Sequence, residues 1–297
     1  VAGELVVFGS LNLDLVLPVG ALPAPGQTVL GGDLRRYPGG KGANQAAAAA
    51  GLAGGRVRLV GRVGADAEGS FLLAEAAAAG VDVSGVLADA GATTGHALIL
   101  VDGQGENIIA VAPGANARLD HTDAARATGP LGPGDTLICQ LEVPVPAVAA
   151  AVLAARAAGA LVVVNAAPAV SVPAALLADV DILVVNESEA RAIGTADPAA
   201  LAARTGCAVV VTLGGDGAAF AEPDGGRAGS APSYPVDVVD TTGAGDVFVA
   251  GLAVARHRGA DLAGAVAFAV AAGALAVTAP GARVAGLSAA RVRRLMG

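Results

Sequence analysis

The residues Asp240-Thr241-Thr242-Gly243-Ala244-Gly245-Asp246 open an apolar run from Val247 to Ala255. Small residues ahead of an apolar helix let the backbone turn tightly and leave its first N–H groups free and unobstructed. The helix dipole favours negative charge at that point, so a transferring phosphoryl group could rest on the amides of Gly243, Ala244 and Gly245. Asp246, in the first turn, could then accept the proton of an attacking hydroxyl. The pattern alone equally describes a tight turn with Asp at a helix start, where Asp is common.

Other polar residues sit where strands end. Leu11-Asn12-Leu13-Asp14 alternates in strand fashion, which puts Asn12 and Asp14 on one side. An amide beside a carboxylate suits neighbouring sugar hydroxyls, and it also suits a solvated strand face. Lys41, the only lysine of the chain, lies within Pro38-Gly39-Gly40-Lys41-Gly42-Ala43-Asn44-Gln45, ahead of an alanine-rich helix expected to run to about Gly51. It is not a P-loop lysine, because the required earlier glycine is Arg35 and the following Ser/Thr is Gly42. Gln140-Leu141-Glu142, Asn165, Asn186-Glu187-Ser188-Glu189 and Gly214-Gly215-Asp216-Gly217 each follow an apolar run. Ligand sites of open α/β sheets lie outside the carboxyl ends of the strands.

The elements that must position these residues alternate between strand and helix. Strands are expected at 5–8, 57–63, 81–86, 136–141, 161–165, 181–185 and 209–213, and helices at 69–79, up to 158 and near Ala174, the signature of an α/β sheet. Asp102-Gly103-Gln104-Gly105 between His96–Val101 and Asn107–Val111 reads as a hairpin. With β pieces around Gln27 to Tyr37 it makes a small separate sheet, a lid over the site formed by about 12–38 and 93–112. One domain, 1–297, is expected.

Composition bounds the function. A net charge of -8 argues against a nucleic-acid surface. Hydrophobic residues make up 54%, largely alanine, and no run reads as a membrane span. Val1 to Leu17 carries Glu4, Asn12 and Asp14 with no basic region before them, unlike a signal peptide, so a cytoplasmic protein is expected. Cys139 and Cys207 lie in apolar surroundings without a metal-binding spacing, as buried reduced thiols do. No Gly-x-Gly-x-x-Gly follows the first strand, which disfavours a nicotinamide oxidoreductase.

The blocks Gly39–Gln45 and Asp240–Asp246, in this order and covering almost the whole chain with those between them, resemble the PfkB carbohydrate-kinase family. Gly9-Ser10-Leu11-Asn12-Leu13-Asp14, Gly105-Glu106-Asn107, Gly114-Ala115-Asn116-Ala117, Gln140-Leu141-Glu142 and Asn186-Glu187-Ser188-Glu189 bring it nearest to the ribose-phosphorylating branch. The resemblance implies a three-layer α/β/α sandwich with a small β-sheet lid, and phosphorylation of D-ribose at O5 by ATP. It implies Asp246 as base and the amides of Gly243, Ala244 and Gly245 as the anion hole. The sugar would be held by Asn12, Asp14, Gly40, Lys41, Gly42, Ala43, Asn44 and Glu142. ATP would be held by Asn186, Thr212, Leu213, Gly214, Gly215, Asp216, Gly217 and Gly245. Glu189 would act on Mg2+ through water.

A monovalent cation, K+, is implied at Asp240, Thr242, Ala276, Ala279, Gly281 and Ala285. Ala285 stands where the family often has serine, and Val270 where a polar residue often meets the nucleotide. The family resemblance also implies a homodimer through the lid. Another sugar or a nucleoside is the alternative acceptor, though Tyr37 is the nearest ring for stacking a base. A sugar-binding regulator without turnover is disfavoured by the intact Asp246 and its glycines.

Overall fold

The computed structural model describes residues 3–297; Val1 and Ala2, where the expected domain begins, lie outside the described residues. In chain order the first part contains β1 (Leu5–Phe8), β2 (Asn12–Pro18), β3 (Arg35–Gly39), α1 (Lys41–Ala53), β4 (Val57–Gly64), α2 (Ala67–Ala78), β5 (Asp82–Asp89), β6 (Gly95–Val101) and β7 (Asn107–Ala112). The middle contains α3 (His121–Thr128), β8 (Thr136–Gln140), α4 (Val145–Ala157), β9 (Leu161–Asn165), α5 (Ala174–Leu177), β10 (Ile182–Asn186), α6 (Glu187–Ile193) and α7 (Pro198–Thr205). The last part contains β11 (Ala208–Thr212), β12 (Ala218–Ala221), β13 (Ala228–Ala231), α8 (Ala244–His257), α9 (Leu262–Ala276) and α10 (Ala289–Met296).

The main sheet runs β13-β12-β11-β10-β9-β8-β1-β4-β5, parallel from β11 to β5, with β12 antiparallel to both β11 and β13. Its inner strands are covered on both faces, which is why they read as unbroken apolar runs rather than as alternation. In β1 the alternating side chains serve two cores. Leu5 and Val7 pack with α1, α8 and α9, while Val6 and Phe8 pack with α3 and α4. Helix α9 is apolar all round, as a helix enclosed by neighbours should be. The chain is thus an α/β/α sandwich. Because the chain lays β4 and β5 on one side of β1 and β8 to β11 on the other, the strand order reverses at β1, and a crevice opens at the carboxyl ends there.

A second sheet, β3-β2-β6-β7, stands apart from the first. Its β6–β7 hairpin turns as expected, with the Gly105 amide bonded to the Asp102 carbonyl at 3.1 Å and the Asp102 side chain accepting from the Gln104 and Glu106 amides. The expected β structure from Gln27 onward is corrected. Regular pairing begins only at Arg35, and the segment before it touches the sheet through one bridge, Val19 to Gly31. Gly31 and Gly32 interrupt the stretch between Gln27 and Arg35, and glycines do not sustain a ladder. Cys139 and Cys207 are buried free thiols. No helix among the described residues is long and apolar enough to cross a membrane.

Candidate active site

Helix α8 starts at Ala244 because Gly243 adopts φ 74°, a left-handed conformation that L side chains avoid. A Cβ there would lie 2.6 Å from the Ala282 Cα, so the turn is closed against the 282 loop. The Ala244 amide, expected in the anion hole, is instead bonded to the Thr241 carbonyl at 3.2 Å. Those of Gly243, Gly245 and Asp246 have no backbone partner among the described residues.

Asp246 is 7% exposed and held at both oxygens. Asn44 Nδ2 donates to Oδ2 at 3.1 Å and Gln45 Nε2 to Oδ1 at 3.0 Å, so adjacent residues of the first turn of α1 aim the carboxylate. Gln45, which the sequence did not single out as a site residue, is itself fixed by the buried Gln140 and Asn165 from the ends of β8 and β9. Burial raises the Asp246 pKa, opposed by the Lys41 charge and by the Gln45 and Asn44 hydrogen bonds, with Glu142 adding to the rise. A raised carboxylate pKa suits a proton acceptor.

On the small-sheet side, Glu142 Oε2 accepts from the Ser10 hydroxyl at 2.6 Å and from the Lys41 amide at 3.0 Å. Gly40 has φ 87°, and a Cβ on it would lie 2.7 Å from the Asn12 amide nitrogen, so the 40–42 loop lies against the start of β2. The Gly42 amide donates to the Ser10 hydroxyl at 3.3 Å. Ala43 is fully buried with its amide on the Ser10 carbonyl, which makes it part of the core rather than of the site surface. Asn12 Oδ1 accepts from Asn116 Nδ2 at 2.8 Å, and Asn116 also clamps the Leu11 backbone. Asp14 is half-buried, and its pKa is pushed up to about 7 by burial and by Glu142 and Asp246, with Arg283 pulling it down. Arg283, in the loop after α9, gave no signal in the sequence.

On the other side of Gly245 lies a cavity of about 490 Å³, lined by Thr212, Gly214, Gly215 and Gly217 together with Tyr234, Phe248 and Val270. Its walls are mostly apolar, as Val270 implied, and Tyr234 and Phe248 supply rings that the sequence did not single out. Leu213 packs instead against the core, and Asp216 is not among the residues that line the cavity. Between this cavity and the small sheet, a space of about 140 Å³ is bordered by Lys41, Asn186, Glu189, Gly243, Gly245 and Asp246. Lys41 therefore borders the space at the base as well as the Glu142 loop.

Asn186 and Glu189 form a reciprocal cap on α6: the Asn186 side chain accepts the Glu189 amide and the Glu189 carboxylate accepts the Asn186 amide, each at 2.8 Å. Burial raises the Glu189 pKa, offset by the Asn186 amide and by Lys41. No group of three or more His, Cys, Asp or Glu that could hold a metal ion occurs among the described residues.

Of the residues implied for a monovalent cation, Asp240 and Gly281 meet: Asp240 Oδ2 accepts the Gly281 amide at 2.8 Å and Oδ1 accepts the Thr242 amide at 2.9 Å. Burial alone would raise the Asp240 pKa, but these hydrogen bonds lower it. Ala276 ends α9 and Ala279 follows it. The Ala285 carbonyl is already bonded to Arg291 at 2.8 Å.

The sequence profile described as pfkB family carbohydrate kinase matches residues 2–289. The ribokinase of Staphylococcus aureus is 34% identical over 94% of this chain and 95% of its own length. The bifunctional ribokinase/ribose-5-phosphate isomerase A of Fructilactobacillus sanfranciscensis is 36% identical over 84% of this chain, which spans about half, 48%, of that longer protein. The structure of Arabidopsis thaliana ribokinase complexed with ribose and ATP superposes with a TM-score of 0.87 at 31% identity, covering 100% of this chain and 99% of that one.

Proposed function

We propose, since the chain belongs to the pfkB family of carbohydrate kinases, that it transfers the γ-phosphoryl group of ATP to O5 of D-ribose. The single observation that carries this reading is Asp246, buried and held by Asn44 and Gln45, bordering a small space with Lys41, Glu189 and Gly245, of which Gly245 also lines the aromatic-walled cavity. The adenine ring fits between apolar walls that include Tyr234 and Phe248, and the glycines at 214, 215 and 217 leave the phosphates room against the backbone.

Asp246 takes the proton of the attacking hydroxyl, and the free amides of Gly243, Gly245 and Asp246 face the charge that gathers on the phosphoryl oxygens. Lys41 adds positive charge on the acceptor side of that group. Asp14 and Glu142 accept vicinal hydroxyls, which selects a sugar over analogues that lack one.

Magnesium, when bound, would neutralise charge on the phosphates of ATP. Glu189 suits it as a ligand through water, because one carboxylate oxygen is committed to the Asn186 amide and the group borders the phosphate space. A potassium ion suits the Asp240 and Gly281 loops, with Ala285 offering at most a carbonyl that Arg291 already engages. The small sheet acts as a lid that excludes water from the transfer. Every residue of β7 is exposed, including Ile108, Ile109 and Val111, and Leu98 of β6 is exposed as well. An apolar, unpaired sheet of this kind suits pairing with a second copy, a homodimer through the lid.

The test is ADP release from Mg-ATP on adding D-ribose beside fructose, other pentoses and adenosine, each in potassium and in sodium. Turnover with ribose supports the proposal. Turnover confined to another acceptor moves the substrate, and no turnover with any acceptor favours a binding protein.

A further inference from the structure

A chain of buried side-chain amides ends on the Asp246 carboxylate. Gln140 closes β8 and Asn165 closes β9, opposite each other across the two strands. Gln140 Nε2 donates to Gln45 Oε1 at 2.6 Å, and Gln45 Nε2 donates to Asp246 Oδ1 at 3.0 Å and to Asn165 Oδ1 at 3.2 Å. Asn165 Nδ2 in turn donates to the Val184 carbonyl of β10 at 3.2 Å. Gln45 and Gln140 are fully buried, so bulk water does not compete for these bonds.

An amide donates at its nitrogen and accepts at its oxygen, so the sense of one fixes the sense of the next. An ionised Asp246 only accepts, which turns Gln45 Nε2 toward it and Gln45 Oε1 toward Gln140, which must then donate. Gln140 Oε1 is left in the space that a side chain on Gly9 would occupy, buried and without a partner among the described residues. The reverse sense would suit a protonated Asp246, whose hydroxyl would donate to Gln45 Oε1. It would also strand the Gln140 amide nitrogen beside Gly9 and turn Asn165 Nδ2 away from the Val184 carbonyl. A buried N–H without a partner is rarer than a buried carbonyl without one. The chain is thus best satisfied when Asp246 is charged.

We propose that Gln140 is a positioning residue for the base: its donation to Gln45 holds the Gln45 nitrogen toward Asp246 and so keeps the carboxylate in its proton-accepting form. The inference deepens the sugar-kinase reading and rests on it for the role of Asp246. The charges that face Asp246 are Lys41 of α1, which favours its ionised form, and Glu142 after β8, Asp14 of β2 and Glu189 of α6, which share its sign. Arg283, from the loop packed on Gly243, lines a cavity with Asn44 and Val247. Strand β9 and helix α9 carry no charged side chain, and Arg256 and His257 lie at the far end of α8. All of these stay unchanged in the variants that test the proposal.

The experiment measures kcat and both KM values from pH 5 to 9 for the parent, Gln140→Met, Gln45→Met and the double variant, each as the full chain. Met keeps the length of Gln and adapts to its space without offering a donor. The rising limb of kcat, where Asp246 loses its proton, should move up by about one pH unit in Gln45→Met, the worth of a hydrogen bond to a charged group, and by roughly half as much in Gln140→Met. Below that limb kcat falls by up to about tenfold with both KM values held, and above it most of the loss is recovered. Because Gln140 acts through Gln45, the double variant should behave as Gln45→Met does alone. An unmoved limb in Gln140→Met, a loss equal at every pH, or additive losses in the double variant would overturn the inference. Gln140→Leu repeats the comparison with a differently shaped side chain, so that misfolding of one variant does not decide the outcome.

A second readout needs no turnover. In the unliganded protein carrying aspartate labelled with 13C at the carboxyl, the Asp246 signal, assigned by its absence in Asp246→Asn, should titrate at higher pH in Gln140→Met than in the parent. An unmoved titration contradicts the inference even where ribose is phosphorylated. A parent that phosphorylates no acceptor while the titration shifts counts against the kinase reading alone.

Discussion

Gly243 and Gly245 stand two residues apart at the head of α8, and alanine should act oppositely at the two positions. A Cβ built on Gly245 meets no protein atom within 4 Å, and the residue is helical with no positive φ. Gly245→Ala therefore restricts the unfolded chain and improves helix propensity without a clash. Such changes stabilise by roughly 0.5 to 1 kcal/mol, a rise in Tm of about 2 °C for a chain of this size. Gly245 nonetheless borders both the large apolar cavity and the phosphate space, so the new methyl group points to where the nucleotide must pass. A displacement of the phosphates by about 1 Å costs on the order of 10²-fold in turnover. The assay pairs thermal melting with kcat/KM for ATP at saturating acceptor. A variant at least as stable as the parent and about a hundredfold slower fits the account. Parent-like kcat/KM would refute the placement of the phosphates at this turn.

At Gly243 the same substitution meets φ 74° and a contact of 2.6 Å with the Ala282 backbone. The left-handed conformation alone costs about 1 to 2 kcal/mol, and the backbone contact adds to it, so Gly243→Ala should lower Tm by several degrees, and an unchanged Tm would show that the 282 loop yields freely. Asp14 illustrates a conflict between stability and function. Its folded pKa, about 7, lies above the ordinary 3.8, so its contribution to stability is full below about pH 4 and is lost as pH rises through 7. Asp14→Asn should therefore be more stable than the parent at pH 8, by on the order of 2 kcal/mol after allowing for coupling to Glu142 and Asp246, while acceptor binding weakens and ATP binding holds. Equal melting curves from pH 5 to 8 would contradict this.

Much of this architecture was legible because fully covered parallel strands write themselves as apolar runs. Leu5–Phe8, Leu161–Asn165 and Ile182–Asn186 stand where such runs do, and their polar ends mark the crevice. The hairpin at Asp102–Gly105 was equally plain, since its turn chemistry is local. Helices α3 and α7 were not anticipated. Each is short, and each is begun by an aspartate that caps it, Asp120 and Asp197, in stretches dominated by Ala, Thr and Arg in which Leu201 is the only large apolar side chain. The antiparallel edge β12–β13 was missed because Ala218–Ala221 and Ala228–Ala231 carry few residues of strand preference.

At the site, Asp246, Asn44 and Glu142 could be named from motif spacing, and they do converge across more than two hundred residues of sequence. Gln45 was hidden as the neighbour of a named residue, although its place in the first turn of α1 was the available signal. Tyr234 and Arg283 could not be read, because what brings them to the site is tertiary packing of loops with no local pattern, and Phe248 was hidden inside the apolar run that forms α8.

The most direct test of the central claim follows the product of Mg-ATP and D-ribose by 31P NMR with proton coupling, for the parent and for Asp246→Asn side by side. The account predicts ADP and a phosphomonoester coupled to the C5 protons in the parent, and the same product roughly 10²- to 10⁴-fold more slowly in the variant, with both substrates still binding. A phosphate at another carbon, or a variant that keeps the parent's rate, would contradict it.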